Sequence, residues 1–269
     1  MKEMTMEQLK KVELDALLHF ADFCDKHGLK YFLAYGTLIG AVRHKGFIPW
    51  DDDIDTQMPR PDYEKLIRIF NAENADTPYR LIEPGSKQAK HTFVKIIDTR
   101  TVKTEPGYDY ENGALGVDLD VFPIDGTPEN DAAYAAWYQK LKTTYRRYRF
   151  MKMRFDGGLV WRLKLFLHKF PGVFVGADGY FKKAEKLHAE YPYEQSRYVA
   201  SIAADCNGIG NRSKKENFEG FTLVEFEGYT FKAPVGYDEV LSNLFGDYMQ
   251  LPPEEKRVTH HTNKVYFKE

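Results

Sequence analysis

Apolar positions along the chain switch between a helical and a strand period. Leu9, Val12, Ala16, Leu17, Phe20 and Cys24 recur at helical spacing with Gly28 just beyond them, which predicts an amphipathic first helix and its stop signal. Residues 31–35 read as a short buried strand, after which Gly36-Thr37 turns the chain into a second helix over 38–44. A loop over 45–50 leads into four acids and a strand through Met58, and Pro61 suits the first turn of a third helix over 62–70. Strand signals follow at 79–82, 92–97 and 116–122. Beyond Pro128 the pattern is helical to about Phe155, and again over 161–170 and 180–189. The tail mixes strands at 198–203, 222–226 and 229–232 with a helix at 237–244. Together these predict an α+β fold: a mixed β-sheet core with flanking helices in residues 1–126, a helical insert in 127–195, and an α+β segment in 196–269 that completes the same unit.

The candidate chemistry begins with Asp51, Asp52, Asp53 and Asp55, four carboxylates within five residues. Carboxylates this close repel one another unless cations neutralise them. In a strand Asp53 and Asp55 share a face, and such oxygen pairs are the ligands Mg²⁺ prefers. Asp118 and Asp120 alternate with apolar residues in the same way, so three acids from neighbouring strands would suit a two-metal site for phosphoryl or nucleotidyl transfer. Gly36 and Thr37 open a helix, whose free N–H groups and dipole can hold a phosphate. Arg43, His44 and Lys45 add cations that either hold a diphosphate or pair with the acids. Other nucleotide and metal signatures fail in detail. No Walker loop occurs, and Asn207-Gly-Ile-Gly-Asn211 lacks the third glycine of a dinucleotide fingerprint. A calcium loop over 51–62 would have Thr56 in place of its obligatory glycine.

Composition narrows the classes further. With 269 residues, 38 Lys+Arg, 40 Asp+Glu and a net charge of -2, the chain is an ordinary globular protein, and nucleic-acid binding through overall basicity is excluded. Two cysteines, Cys24 and Cys206, make neither a disulfide framework nor a four-ligand zinc site. The N-terminal stretch is charged throughout and lacks an apolar h-region, so the expected location is the cytoplasm.

Tyr35-Gly-Thr-Leu-Ile-Gly-Ala-Val-Arg-His-Lys-Gly-Phe-Ile-Pro-Trp-Asp-Asp-Asp-Ile-Asp55 closely resembles the signature of the LicD family of phosphocholine transferases. Asp120-Val-Phe-Pro-Ile-Asp125 resembles the family's second motif. The segment from Phe245 to Arg257, followed by His260, resembles its C-terminal motif. The resemblance implies a nucleotidyltransferase-like fold and transfer of phosphocholine from CDP-choline, or of another alcohol phosphate from a related CDP-alcohol. The acceptor it implies is a sugar of a lipid-linked glycan precursor, for teichoic acid or lipopolysaccharide. It implies Asp53, Asp55 and Asp120 as the catalytic, metal-binding set for Mg²⁺ (two ions, with Mn²⁺ an alternative). Asp118 and Asp125 are neighbours whose part in the site is left open.

Around that set, Lys95 lies on a predicted strand where it can contact phosphate, while Arg257 and His260 can close over the nucleotide or simply pin the tail. A choline ammonium would sit over aromatic faces. Trp50 and Phe47 lie beside the acidic loop, with Tyr108, Tyr110 and Tyr248 as further contributors. Two rivals remain: nucleotidyl transfer to a small molecule, and a non-catalytic glycan- or lipid-binding protein. Between residues 140 and 169 there are ten Lys or Arg and one acid, Asp156, interleaved with aromatics. This pattern fits either a solvated face or peripheral docking on the inner face of the cell membrane.

Overall fold

The computed structural model describes residues 2–104, 115–153, 158–170, 174–203, 211–259 and 264–268. Strand β1 (Lys2–Glu3) leads into helix α1 (Met6–Lys26), which opens with a reciprocal capping box between Thr5 and Gln8. Its inward stripe of Leu9, Glu13, Ala16, Leu17, Phe20 and Cys24 follows the 3.6-residue period. Gly28, at φ +62°, ends the helix one residue past the cap, a left-handed conformation suited to glycine.

The chain continues through β2 (Phe32–Leu33), α2 (Tyr35–His44), β3 (Asp55–Pro59), α3 (Arg60–Glu73), β4 (Tyr79–Ile82), β5 (Val94–Asp98), β6 (Thr101–Thr104) and β7 (Asp118–Thr127). Two expected boundaries move. Gly36 and Thr37 lie inside the first turn of α2 rather than in a preceding turn, because the helix begins at Tyr35. The strand after the acidic run begins only at Asp55, so Asp53 sits in the loop and strand alternation does not set its direction.

β7 is the spine of a seven-stranded mixed sheet ordered β2-β3-β7-β5-β4. β8 (Tyr198–Ala200) adds to the far end of β7, and β9 (Arg212–Lys214) adds to β8. Only the β3–β7 pairing is parallel; all the others in this sheet are antiparallel. A second sheet, β1-β12-β6, joins the two ends of the chain through β12 (Lys264–Phe267). The sequence pattern did not reveal β1, β6, β9 or β12, which are two to four residues long. β10 (Phe221–Phe226) and β11 (Tyr229–Pro234) form a hairpin packed on the core through Phe226, Phe231 and Ala233, followed by α7 (Tyr237–Phe245). The core also buries α1, α2, α3 and both faces of the central strands, as the apolar runs in β5 and β7 require.

Three helices separate β7 from β8: α4 (Asp131–Lys152), α5 (Leu159–Lys169) and α6 (Gly176–Ala189). The expected basic, aromatic insert divides here into two unlike parts. On α4 the aromatics Tyr134, Trp137, Tyr138, Tyr145 and Tyr148 are buried, several of them with Ala184 and Leu187 of α6 in a small core of their own. On α5 Leu159, Val160, Leu163, Phe166 and Leu167 stay exposed to solvent. No helix among the described residues is long and apolar enough to cross a membrane.

Candidate active site

Strand register builds the site. Asp55 on β3 stands opposite Asp120 on β7, and Asp120 stands opposite Lys95 on β5. Residues directly opposite in a ladder point to the same face. The three form a row across adjacent strands, with Asp118 two residues behind Asp120 on that face. The row is stitched from below: the Asp120 N–H donates to Ile54 O at 3.0 Å, and Thr56 Oγ1 donates to Asp120 O at 2.9 Å. Ile54 itself is fully buried.

Lys95 is buried, with 5% of its surface exposed. Its ammonium donates to Asp120 Oδ1 at 2.6 Å and also to Asp118 Oδ2. Lys103, on the strand the sequence did not reveal, donates to Asp118 Oδ1 at 2.6 Å. Burial opposes ionisation of Asp118, but Lys103 and then Lys95 overcome it and hold this carboxyl well below the usual carboxylate range. Asp118 is thus the compensated anion that anchors the two lysines. Asp120 is less well matched: burial and Asp118 push it up to about 7 despite Lys95. Asp55 is also raised, first by burial and then by Asp53, Asp120 and Asp51. Two neighbouring half-buried carboxylates are therefore short of positive charge.

That deficit is where a cation fits. Mg²⁺ is commonly held by only one or two carboxylates, with waters and substrate phosphates completing its shell. Among the described residues no three Asp, Glu, His or Cys side chains converge into a metal-binding group. The fit therefore rests on the Asp55–Asp120 pair, with Asp53 two residues upstream in the loop. Glu13 of α1 adds a further carboxyl nearby. It is fully buried, finds no hydrogen-bond partner among the described residues, and is raised by burial, with Lys103 acting against the rise and Asp53 and Asp118 adding to it.

Helix α2 sets the other wall. The Asp55 N–H donates to Thr37 Oγ1 at 2.8 Å, which ties the first turn of α2 to the start of β3. Gly36 leaves room for Asp51, since a Cβ there would lie 2.6 Å from Asp51 Oδ2. The helix start expected to face a phosphate is thus lined by a carboxylate as well. Tyr35, a buried non-glycine residue at φ +44°, opens the helix in a left-handed conformation that a bulky side chain rarely adopts. Such strain tends to collect at functional sites, and the sequence gives no sign of it.

The C-terminal segment closes on this wall. Arg43 Nη1 donates to Tyr248 O at 2.7 Å and to Gln250 O at 3.3 Å, while its Nε donates to His44 Nε2 at 2.9 Å. His44 packs edge-on to Trp50 at 6.5 Å, and Arg257 lies over the Trp50 ring at 5.8 Å. Trp50 O also accepts a hydrogen bond from Thr259 Oγ1 at 3.1 Å. His44, Trp50 and Arg257 thus form one cluster, in which an arginine already covers the aromatic face expected to receive an ammonium. Tyr248 is 7% exposed and donates its hydroxyl to Asp238 at 2.5 Å, so it packs as a core residue. Phe47 packs against Phe226 at 4.9 Å. His260, Tyr108 and Tyr110 lie outside the described residues, as does Cys206.

Asp125, at the other end of β7, belongs to a different arrangement. Arg60 grips it with both nitrogens, Nε at 2.6 Å and Nη2 at 2.8 Å, and His188 Nδ1 lies 3.1 Å from its Oδ2. Two described cavities, of about 630 Å³ between α4 and α6 and about 230 Å³ beside Arg60, are lined by residues outside the acidic row.

A mixed sheet that presents a row of acids on adjacent strands beside a helix start is the framework of a nucleotidyltransferase-like enzyme. Comparison with known proteins agrees: residues 28–153 match the family described as LicD/FKTN/FKRP, nucleotidyltransferase domain. The chain is 32% identical over 275 residues to the lipopolysaccharide cholinephosphotransferase LicD of Haemophilus influenzae, covering 99% of each sequence. Shorter matches reach uncharacterized proteins of Rickettsia prowazekii (51% over 45 residues, 17% of each chain) and Rickettsia typhi (60% over 30 residues, 11% of this chain and 10% of the other). The chain belongs to the LicD family.

Proposed function

We propose that this enzyme transfers phosphocholine from CDP-choline to a sugar of a lipid-linked glycan precursor, in a reaction that depends on Mg²⁺. The observation that carries the reading is the Asp55–Asp120–Lys95 row, where two adjacent half-buried carboxylates are left short of positive charge. The full-length similarity to a lipopolysaccharide cholinephosphotransferase favours a lipopolysaccharide precursor over teichoic acid. The acceptor would be met at the cytoplasmic face of the membrane.

Asp53, Asp55 and Asp120 would hold the metal. When bound, it would supply Lewis-acid stabilisation of the charge that develops on the departing CMP. Lys95 fixes the orientation of Asp120 through its 2.6 Å hydrogen bond. Thr37 fixes the backbone of Asp55 through its hydroxyl. A sugar hydroxyl attacks the choline-bearing phosphorus in line, the bond to the CMP oxygen breaks, and a carboxylate of the row takes the hydroxyl proton. His44, Trp50 and Arg257 stand where the donor's nucleotide or choline end would lie, so donor binding would draw Arg257 off the Trp50 ring.

The test is product mass after incubation with Mg²⁺, CDP-choline and a precursor lipooligosaccharide, with CDP-ribitol and CDP-glycerol in parallel. Gain of phosphocholine by the acceptor is expected. Gain of a nucleotide would overturn the reading in favour of nucleotidyl transfer, and preference for another CDP-alcohol would reassign the donor. Thermal stabilisation by CDP-choline with no turnover of any donor would favour a binding protein.

A further inference from the structure

Helix α5 exposes what a globular helix ordinarily buries. Leu159, Val160, Leu163, Phe166, Leu167 and Phe170 are each between 52% and 84% exposed. At 3.6 residues per turn they fall within one arc of about 120°. Arg162 and Lys164, both exposed, lie about 40° beyond the two edges of that arc at the same period. Just after the helix, Phe174 is 96% exposed and Val175 is 47% exposed. The neighbouring α4 has the same basic and aromatic composition, yet its apolar stripe is covered by α6. Composition alone therefore does not account for the bare face of α5.

We propose that α5 is a membrane-docking helix that lies flat in the interface of an anionic lipid bilayer. Its 11 residues span about 16 Å, roughly half a hydrocarbon core, so it is too short to cross. A narrow apolar arc bordered by cations is the arrangement of an interfacial helix: the apolar side chains enter the acyl boundary and the flanking Arg and Lys reach lipid phosphates. The surrounding charge favours the same occupant, since residues 140–169 hold ten Lys or Arg against one acid. A second copy of the chain seated on this face would bring like-charged borders together.

Flotation of the full chain with phosphatidylcholine vesicles, with and without phosphatidylglycerol and at low and high salt, tests the proposal. The chain is expected to float with the anionic vesicles and to lose at least about tenfold in partitioning at high salt or without phosphatidylglycerol. Leu163→Glu/Leu167→Glu should lose at least about tenfold at unchanged melting temperature, and Arg162→Gln/Lys164→Gln several-fold, with a weaker response to salt. Absence of flotation at low salt would overturn the proposal, as would undiminished flotation of the Leu163/Leu167 variant. A solution dimer that this variant converts to monomer would instead assign the face to a second copy. The readout involves no turnover, so it stands or falls apart from the transferase reading.

Discussion

Strand β7 buries carboxylates at both ends, and the two ends treat them in opposite ways. Asp125 receives a bidentate guanidinium from Arg60, with His188 beside it, and its carboxyl is held below the ordinary range despite burial. Asp120, five residues back, shares one lysine with Asp118 and faces Asp55 across the strand pair. Both Asp55 and Asp120 are raised instead. A buried acid with its countercharge built in is a structural part; one without it leaves room for a cation that arrives with substrate. The chain keeps both kinds on a single ten-residue strand.

The strongest way to break this contrast is to neutralise one acid at each end. Asp55→Asn should lower turnover by about a thousandfold or more, because it would remove a ligand of the proposed cation. Its melting temperature should be unchanged or raised, since a buried repulsion is relieved. Asp125→Asn should do the reverse. Arg60 would then face an amide and keep only Glu185 among the described acids, 3.6 Å away, at a cost of about 1–3 kcal/mol of stability, while turnover per folded molecule is kept. Kinetics and thermal melts on the two variants decide it: an unfolded Asp55→Asn or a folded, inactive Asp125→Asn would erase the distinction.

The sequence showed one end of β7 better than the other. The acidic row was legible because residues 35–55 carry its α2 wall and Asp55 in one uninterrupted stretch, and Asp120 opens a second motif. What completes it was not. Lys95 reads in the sequence as a strand lysine that can contact phosphate, and only the β5–β7 register brings it, buried, onto Asp120. Lys103 lies on a four-residue strand whose partner is β12, more than 150 positions away, a pairing no local pattern reports. Asp125 and Arg60 are 65 positions apart, so the motif around Asp120 gave no reason to separate the charge-paired acid from the one in the acidic row. The helical arm failed to read for a related reason: α4 and α5 share one composition, and only the placement of α6 separates a core helix from an exposed one.

A smaller effect sharpens the contrast through pH. Burial lowers His188 to about 4, so it is neutral in the folded protein and charges at about 6.5 when unfolded. Above the unfolded value the folded state loses nothing; as pH falls from about 6.5 to about 4, the unfolded chain takes up the proton first and stability drops by roughly 3 kcal/mol. Asp125, with a lowered carboxyl, adds its own loss only at more acid pH. Asp120, pushed up to about 7, and Asp55 take up protons first in the folded state over the same window and offset the His188 loss, so the His188 contribution is read as a difference between variants. Relative to the parent, His188→Gln should gain melting temperature as pH falls from about 6.5 to about 4, and a constant difference across that window would remove His188 from the account.

The smallest expected change tests whether Asp118 stands on the structural side of the divide although it lies in the acidic row. Lys103→Met leaves Asp118 with Lys95 alone, at a cost of about 1–3 kcal/mol because one hydrogen-bonded charge is lost but the anion keeps a partner. Lys95 would then be drawn toward Asp118 and away from Asp120, so turnover should fall by about tenfold through a misplaced Asp120 rather than a missing one. Raising Mg²⁺ should recover part of that loss, since a better-filled cation site restores the charge Lys95 withdrew. Turnover that falls as far as in Asp55→Asn, with no response to Mg²⁺, would place Lys103 and Asp118 in the chemistry itself.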